Sequence, residues 1–417
     1  MKIAIIGAGI GGLTLALSML DAGIKDIDIF ESSPAIAELG VGVNILPHAM
    51  RELAELGLLD ELTDASVVTS ELIYYTKRGQ QVWKEARGLE SGYHWPQISI
   101  HRGALIQILY QAVINRLGAH RIHTGHRLNE FKQNANGSVT AIFDNTSVTV
   151  DCLVGCDGLY STVRKTLFPS EGSPKWNGVT MWRGTTICEP FLSGSSMIMV
   201  GHSQHRMVIY PIAYQAGAEN KMLVNWIAEY KTSDSETIYK EDWRHQVEVE
   251  EALEHFKDFN FDFLDIPSLI KNAVAIYKYP MVDRDPLANW NFKNITLLGD
   301  AAHPMYPVGS NGATQAIIDA RVLSQQLVKQ NTIEKALEAY DADRRPATSA
   351  VVQCNRQIGP EKCMDLVEER SPEGFARLED VISQIELEDI SKSYKKIAGF
   401  EPNVLNNRPS LSVNIAS

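Results

Sequence analysis

Cysteine is scarce and basic charge is short in this chain of 417 residues. Five cysteines (Cys152, Cys156, Cys188, Cys354, Cys363) make an odd set with no C-x-x-C pair. That excludes a disulfide framework or a zinc ribbon and points to reduced thiols. Lysine and arginine number 39 against 51 acidic residues, a formal charge of −12, so no basic face is available for nucleic acid. No polybasic run is present to grip an anionic membrane, and no apolar run reaches bilayer-spanning length. The apolar stretch up to Leu20 is interrupted by four glycines and has no small-residue cleavage site before Asp21. It is therefore not read as a signal peptide, and a cytoplasmic location is expected. Also missing are G-x-S-x-G and G-x-x-x-x-G-K-[ST], so hydrolase and P-loop readings lack support. No metal is expected: His120, His123 and His126 are three apart across a strand and loop, which puts neighbours on opposite faces, and no carboxylate or cysteine joins them.

What is present is an ordinary soluble composition, 44% hydrophobic and 22% charged, in a chain too long for one core. Lys2–Ile6 reads as a buried strand, Gly12–Ala22 as a helix apolar on all sides, and Asp26–Phe30 as a second strand ending on Glu31. This is a βαβ unit with parallel strands. Leu39–Pro47 is glycine-punctuated and extended, and helices are expected over His48–Leu56 and Gly103–Leu117. Phe131–Val150 alternates apolar and polar residues around turn pairs, as an antiparallel meander does. Cys152–Cys156 rejoins the first sheet. From Gly178 to Tyr279 strands at Val179–Ile187, Met197–Val200, Met207–Tyr210 and Met222–Ala228 suggest a second, mixed sheet. Ile295–Leu298 returns to the first. Helices follow over Asn311–Lys329 and Thr332–Cys363, the latter expected to break near Pro346, and a loose tail is expected from Glu401.

The expected fold is α/β. A Rossmann-like dinucleotide domain (1–177 and, with C-terminal helices, 281–370) is interleaved with a mixed-sheet substrate domain (178–280), and a C-terminal helix and tail occupy 371–417.

Two motifs about 290 positions apart carry the functional argument. Gly7-Ala8-Gly9-Ile10-Gly11-Gly12 joins strand to helix: Gly7 makes the turn, Gly9 lets backbone approach a pyrophosphate, and Gly12 lets helix and strand pack closely. Glu31, at a strand end 24 residues after Gly7, is placed to accept from ribose hydroxyls. Ile295–Leu298 runs into Gly299-Asp300-Ala301-Ala302-His303-Pro304, with Asp300 at the carboxyl end of a strand, where open α/β sheets bind ligands. One site drawn from both ends of a chain suits FAD, with Asp300 on the ribityl chain. Capping of the next helix is the competing role for Asp300. Asp157-Gly158 begins a third strand-turn-helix unit in which Ser161 could cap and Arg164 could be a solvated cation. Arg102 sits at a helix N-terminus, a poor place for a cation unless an anion is near. Pro304, Pro307, Gly309 and Gly312 stiffen a loop whose following helix could offer N–H groups to a flavin pyrimidine.

Together Gly7–Gly12, Asp157–Arg164 and Gly299–Pro307 resemble the class A flavoprotein monooxygenases, the family of p-hydroxybenzoate and salicylate hydroxylases. Shorter blocks, among them Gly40–Asn44, Ser99–Gly103, Thr180–Gly184, Tyr279–Leu287 and Met305–Pro307, are similar to a branch acting on phenazine carboxylates. The resemblance implies an FAD site at Gly7, Ala8, Gly9, Gly12, Glu31, Val43, Arg102, Leu128, Asp157, Gly158, Asp300, Pro307, Gly312 and Ala313. It also implies NADH or NADPH as a transient co-substrate, bound without a second Rossmann motif, and dioxygen activated as a flavin C4a-hydroperoxide. The substrate implied is an aromatic carboxylate, hydroxylated with or without decarboxylation. Candidate pocket residues are Met181, Trp182, Arg183, Tyr210, Trp226 and Tyr306, with Arg183 or Arg206 as the cation for the carboxylate. Readings kept open are a tetracycline-type hydroxylase, a flavoprotein with a non-oxygenating redox or binding role, and a plain NAD-dependent dehydrogenase.

Overall fold

The computed structural model describes residues 1–36, 40–214, 221–232, 245–357 and 359–413. Leu39, at the head of the expected extended segment, and residues 414–417 of the expected tail lie outside them.

Ile3–Ile6, Ile27–Phe30 and Cys152–Gly155 are buried at every position. Such unbroken apolar runs belong to parallel strands covered on both faces. Their sheet runs Asn291–Phe292, Ile295–Leu297, Cys152–Gly155, Ile3–Ile6, Ile27–Phe30, Ile122–His123, and only the Asn291–Phe292 edge is antiparallel. The chain thus returns after some 140 residues to lay Ile295–Leu297 beside Cys152–Gly155. Helix Ile10–Asp21 packs between Arg102–Leu117 and Gly312–Lys329. The meander is present as Leu128–Gln133, Val139–Phe143 and Ser147–Val150.

The second sheet has eight strands. Two of them, Glu71–Tyr75 and Gln81–Ala86, come from a region whose strands the sequence reading did not identify. Its long members Lys175–Cys188, His205–Tyr214 and Met222–Lys231 are paired antiparallel. Both faces are buried. One packs Trp182, Met207, Ile209 and Trp226 against helices Val249–Phe256 and Ile266–Lys271. The other carries Met181, Val208, Tyr210 and Ile227 toward Tyr306, Val308 and the C-terminal helices.

Two expectations need correction. Helix Ile333–Arg356 runs unbroken through Pro346 and stops at Arg356, short of Cys363. Leu337, Tyr340, Val351 and Val352 are buried on either side of the proline, and this packing outweighs the single backbone bond that proline cannot donate. The segment after Glu401 is also not loose. Pro402–Asn407 is helical and buries Leu405. Arg51 donates to the carbonyls of Leu405 (3.0 Å) and Arg408 (2.6 Å), Arg408 pairs with Glu52, and Arg321 donates to Ser412 Oγ (2.5 Å). Polar residues here supply partners to Arg51, Glu52 and Arg321, which are buried on the helices. Among the described residues no helix is long and apolar enough to cross a membrane.

Candidate cofactor and substrate site

Gly7 adopts φ +107°, and a Cβ there would lie 2.4 Å from the Cys156 carbonyl oxygen; a Cβ on Gly12 would lie 2.0 Å from the Gly7 oxygen. Only glycine permits strand, turn and helix to pass this closely. The helix that follows starts without a side-chain cap, as do Arg102–Leu117 and Gly312–Lys329. First-turn N–H groups without an internal partner call for an external acceptor.

All three helix starts open onto one cavity of about 310 Å³, whose walls include Gly9, Val43, Arg102, Asp300, Pro307, Gly312 and Ala313. A second cavity of about 280 Å³ is walled by Gly7, Glu31, Leu128 and Asp157. Gly9, Cys156 and Gly158 border both. Ala8 donates its N–H to Glu31 Oε2 (2.9 Å), and Ser33 N–H (2.8 Å) and the Ser32 hydroxyl (3.2 Å) donate to Oε1, which fixes the Glu31 carboxylate and leaves one acceptor position on Oε2. The shape is a two-lobed groove bent around the glycine turn, with donors at the bend, Asp300 in the larger lobe and Glu31 in the smaller. A dinucleotide with its pyrophosphate at the bend fits that donor set.

Asp300 is exposed to the cavity yet enclosed by protein. Burial raises its carboxyl pKa, with Asp319 adding to the rise and His303 and Arg102 opposing it. Burial likewise lowers the Arg102 guanidinium, against the pull of Asp300. Asp157 is already committed: its carboxylate accepts from Ser161 Oγ (2.5 Å), Thr162 N (2.7 Å) and Val163 N (3.3 Å). Its backbone and Gly158, rather than its side chain, are therefore what the groove can use. Arg164 is not solvated. It is buried, donating to the carbonyls of Ala301 (3.1 Å) and Ala302 (2.8 Å) and pairing with Glu171, so it ties the third unit to the Asp300 loop. Burial pushes the Cys156 thiol well up, so it stays protonated.

A buried polar chain supports the proline loop. Asp319 accepts from Gly299 N (3.2 Å), His303 Nε2 (2.5 Å) and Arg344 Nε (2.8 Å). Although burial works the other way, His303 and Arg344 hold Asp319 below the usual carboxylate range. Arg344 donates onward to Gln315 (2.6 Å), Gln315 to Asn311 (3.0 Å), and Asn311 to the hydroxyl of Tyr394 (2.8 Å). Tyr394 lies on helix Gln384–Ile397, so the C-terminal helices brace the loop that borders the groove.

Beyond that loop the larger cavity continues over the second sheet, on an apolar band of Met197, Met199, Val208 and Ile227. Of the expected pocket residues, Arg183 and Tyr210 line it. Arg183 Nη2 donates to the Gly42 carbonyl (2.9 Å), and its enclosed Nε has no hydrogen-bond partner among the described residues. Trp182 and Trp226 lie on the opposite sheet face, because side chains alternate along a strand. Met181 and Tyr306 are on the cavity side but buried in the core beside it, outside the lining. Arg206 lines the far end already paired with Glu229 and Glu361, so it is no free cation. Met197, Met199, Glu229 and Glu361 were not foreseen. A charged pair set in otherwise apolar strands at Arg206 and Glu229 was the available signal.

His123 stacks on Phe30 (4.8 Å) and meets Asp28 Oδ1 at 3.1 Å, and its ring lies 5.7 Å from that of His126. The two rings thus share a side around Phe30, where opposite faces had been expected. Among the described residues no group of three or more His, Cys, Asp or Glu side chains could hold a metal ion.

Residues 1–355 match the FAD binding domain family. The chain is 40% identical over 366 residues to phenazine 1,6-dicarboxylic acid hydroxylase of Lysobacter antibioticus, covering 85% of this chain and 89% of the relative. It is 28% identical over 362 residues to 3-hydroxybenzoate 6-hydroxylase 1 of Aquipseudomonas alcaligenes, covering 85% and 88%. The fold superposes on a salicylate hydroxylase substrate complex with a TM-score of 0.73, at 21% identity and 99% coverage of each chain. A groove framed by uncapped helix starts, a glycine turn and Asp300 thus coincides with membership shown by sequence: the chain belongs to the FAD binding domain family.

Proposed function

We propose that the protein is an FAD-dependent monooxygenase that uses NADH or NADPH and dioxygen to hydroxylate an aromatic carboxylate of the phenazine or salicylate kind, with or without loss of the carboxyl. The observation that carries this reading is the continuity of the nucleotide groove with a chamber floored by Met197, Met199, Val208 and Ile227, with the Arg183 guanidinium in its wall. The relatives named above act, by their names, on phenazine and benzoate acids, which supports an aromatic acid here.

In this reading the first-turn N–H groups of Ile10–Asp21 hold the pyrophosphate. Glu31 accepts from ribose hydroxyls and Asp300 from the ribityl chain. Val43, Arg102, Pro307, Gly312 and Ala313 border the flavin ring, and Leu128 and the Asp157-Gly158 backbone border the adenosine side. Bound there, FAD would supply the redox chemistry that the side chains lack, accepting hydride from the nicotinamide and activating dioxygen. Arg183, which lines the chamber, orients the substrate carboxylate by charge and hydrogen bonding. Met197, Met199, Val208 and Ile227 flank the ring and exclude water, which protects the oxidising equivalent from side reactions. Burial raises the Tyr210 phenol pKa, which keeps it a neutral hydrogen-bond donor at the chamber wall. Dependence on a nicotinamide is consistent with a cytoplasmic enzyme.

The test is oxygen-dependent NADH and NADPH oxidation by the FAD-loaded protein, with and without phenazine, salicylate, quinoline and tetracycline compounds, with product masses followed in parallel. Stimulation by an aromatic acid with one oxygen gained, or carboxyl exchanged for hydroxyl, is the expected result. Oxidation that ignores every compound and yields only peroxide overturns the reading.

A further inference from the structure

The far end of the chamber holds three buried charges that the proposed chemistry does not use. Arg206, Glu229 and Glu361 are 4%, 2% and 2% exposed, and all three line the cavity. Arg206 donates from Nε to Glu229 Oε2 (3.0 Å) and from Nη2 to the same oxygen, and its Nη1 contacts Glu361 Oε2. Both bonds to Glu229 fall on Oε2; its Oε1 accepts no hydrogen bond among the described residues.

One guanidinium faces two carboxylates, so the group is negative by one charge when all three are ionised. A buried surplus charge is unfavourable unless a partner answers it. The sheet register shows where such a partner would lie. Arg206 stands opposite Glu229, and Val208 opposite Ile227 one step along the same face. Arg183 is opposite Ile227 on the other side. The floor therefore runs from the guanidinium of Arg183, over the apolar band, to the negative group. A flat ligand whose carboxylate meets Arg183 directs its opposite edge at Glu229 and Glu361.

We propose that Glu229 and Glu361 are specificity-determining residues that read a hydrogen-bond donor, an N–H or O–H, on the substrate edge remote from its carboxylate. Arg206 is a positioning residue that holds the two carboxylates at the cavity wall. The substrate class that follows is an amphoteric aromatic acid, with an anion at one end and a donor at the other. This rests on the aromatic-carboxylate reading above and narrows it. A site with an acceptor left over admits a donor and rejects an ether of the same size, because the ether leaves the carboxylate unanswered.

The experiment measures binding of four probes to the FAD-loaded protein by perturbation of the flavin absorbance: 2-naphthoate and its 6-hydroxy, 6-amino and 6-methoxy derivatives. The wild type is expected to bind the hydroxy and amino compounds about tenfold or more tightly than the methoxy compound and the parent, a difference of about 1.4 kcal/mol. In Glu229→Gln and Glu361→Gln that ratio should shrink to about twofold or less, with binding of the parent changed little. Equal binding of all four by the wild type overturns the inference without any variant and leaves the carboxylate reading standing. So does an unchanged ratio in both variants when they retain FAD. If no naphthoate perturbs the flavin, while the same ring without its carboxyl does, both readings fall together.

Discussion

At the scale of single residues, two adjacent glycines separate a required close approach from a tolerant one. A methyl on Gly12 meets backbone oxygen at 2.0 Å, whereas one on Gly11 meets side chains alone, Leu298 at 2.7 Å and Ala316 at 3.5 Å. Gly12→Ala is therefore expected to abolish FAD retention and to destabilise by more than about 3 kcal/mol. Gly11→Ala should stay within about 1 kcal/mol of wild type, since a helical Gly→Ala gain offsets the shift of Leu298. Flavin absorbance per protein and urea melts distinguish the two. His48 gives a pH-dependent prediction. Burial lowers its pKa from 6.5 to about 3, with Arg408 and Arg344 adding and Asn311 opposing. The folded state thus favours the neutral ring, and the unfolded chain takes up a proton first as pH falls. Its contribution is complete above pH 6.5 and is lost between 6.5 and about 3, at about 1.4 kcal/mol per pH unit. Melting temperature against pH should fall across that window, and His48→Leu should flatten the curve; an identical slope in the variant contradicts this. Residue chemistry was legible where it was local: Gly7, Gly9, Glu31 and Asp300 announce themselves by strand, turn and helix context. Which of Trp182 and Arg183 faces the cavity was not, because both faces of that strand are buried and the apolar pattern carries no parity.

At the scale of elements, the C-terminal helices act as a brace. Tyr394 receives a hydrogen bond from Asn311 and donates toward Asn355 (3.2 Å) and the Val308 carbonyl (3.3 Å). Tyr394→Phe keeps the ring but strands those groups in the core, which should destabilise by about 1–3 kcal/mol and raise the Kd for FAD several-fold. Chemical denaturation and flavin fluorescence titration measure the two effects. Deleting 400–413 should do more. It strips Phe400 from its stack on His48 (4.8 Å) and removes Arg408 from Glu52, whose carboxyl pKa burial raises; losing one partner of a buried pair typically costs about 3–5 kcal/mol. This element escaped the sequence reading for a physical reason. Asn, Ser and Arg are what a solvated tail contains, and also what a segment contains when its task is to satisfy buried ions. Pro346 misled similarly, since a local helix breaker was weighed without the packing on either side of it.

At the scale of the whole molecule, the first sheet is covered by helices from both halves of the chain, and the groove that starts at its strand ends continues over the second sheet. Heating or urea should therefore produce one cooperative transition seen alike by backbone and flavin signals. FAD at 100 times its Kd should add about 2.7 kcal/mol to that single transition. Two separate transitions, only one of them shifted by FAD, would show that the sheets unfold independently. The return of Ile295–Leu297 to the first sheet also has a consequence for biosynthesis. About 300 residues separate Gly12 from Ala313, on the order of 15–60 s of elongation at ~5–20 residues per second. Throughout that interval the glycine turn is outside the ribosome with no partner to close the groove. Cofactor capture thus waits on synthesis through Ala313, and a product truncated before that residue stays colourless: in this protein, yellow reports that both halves of the groove have been made.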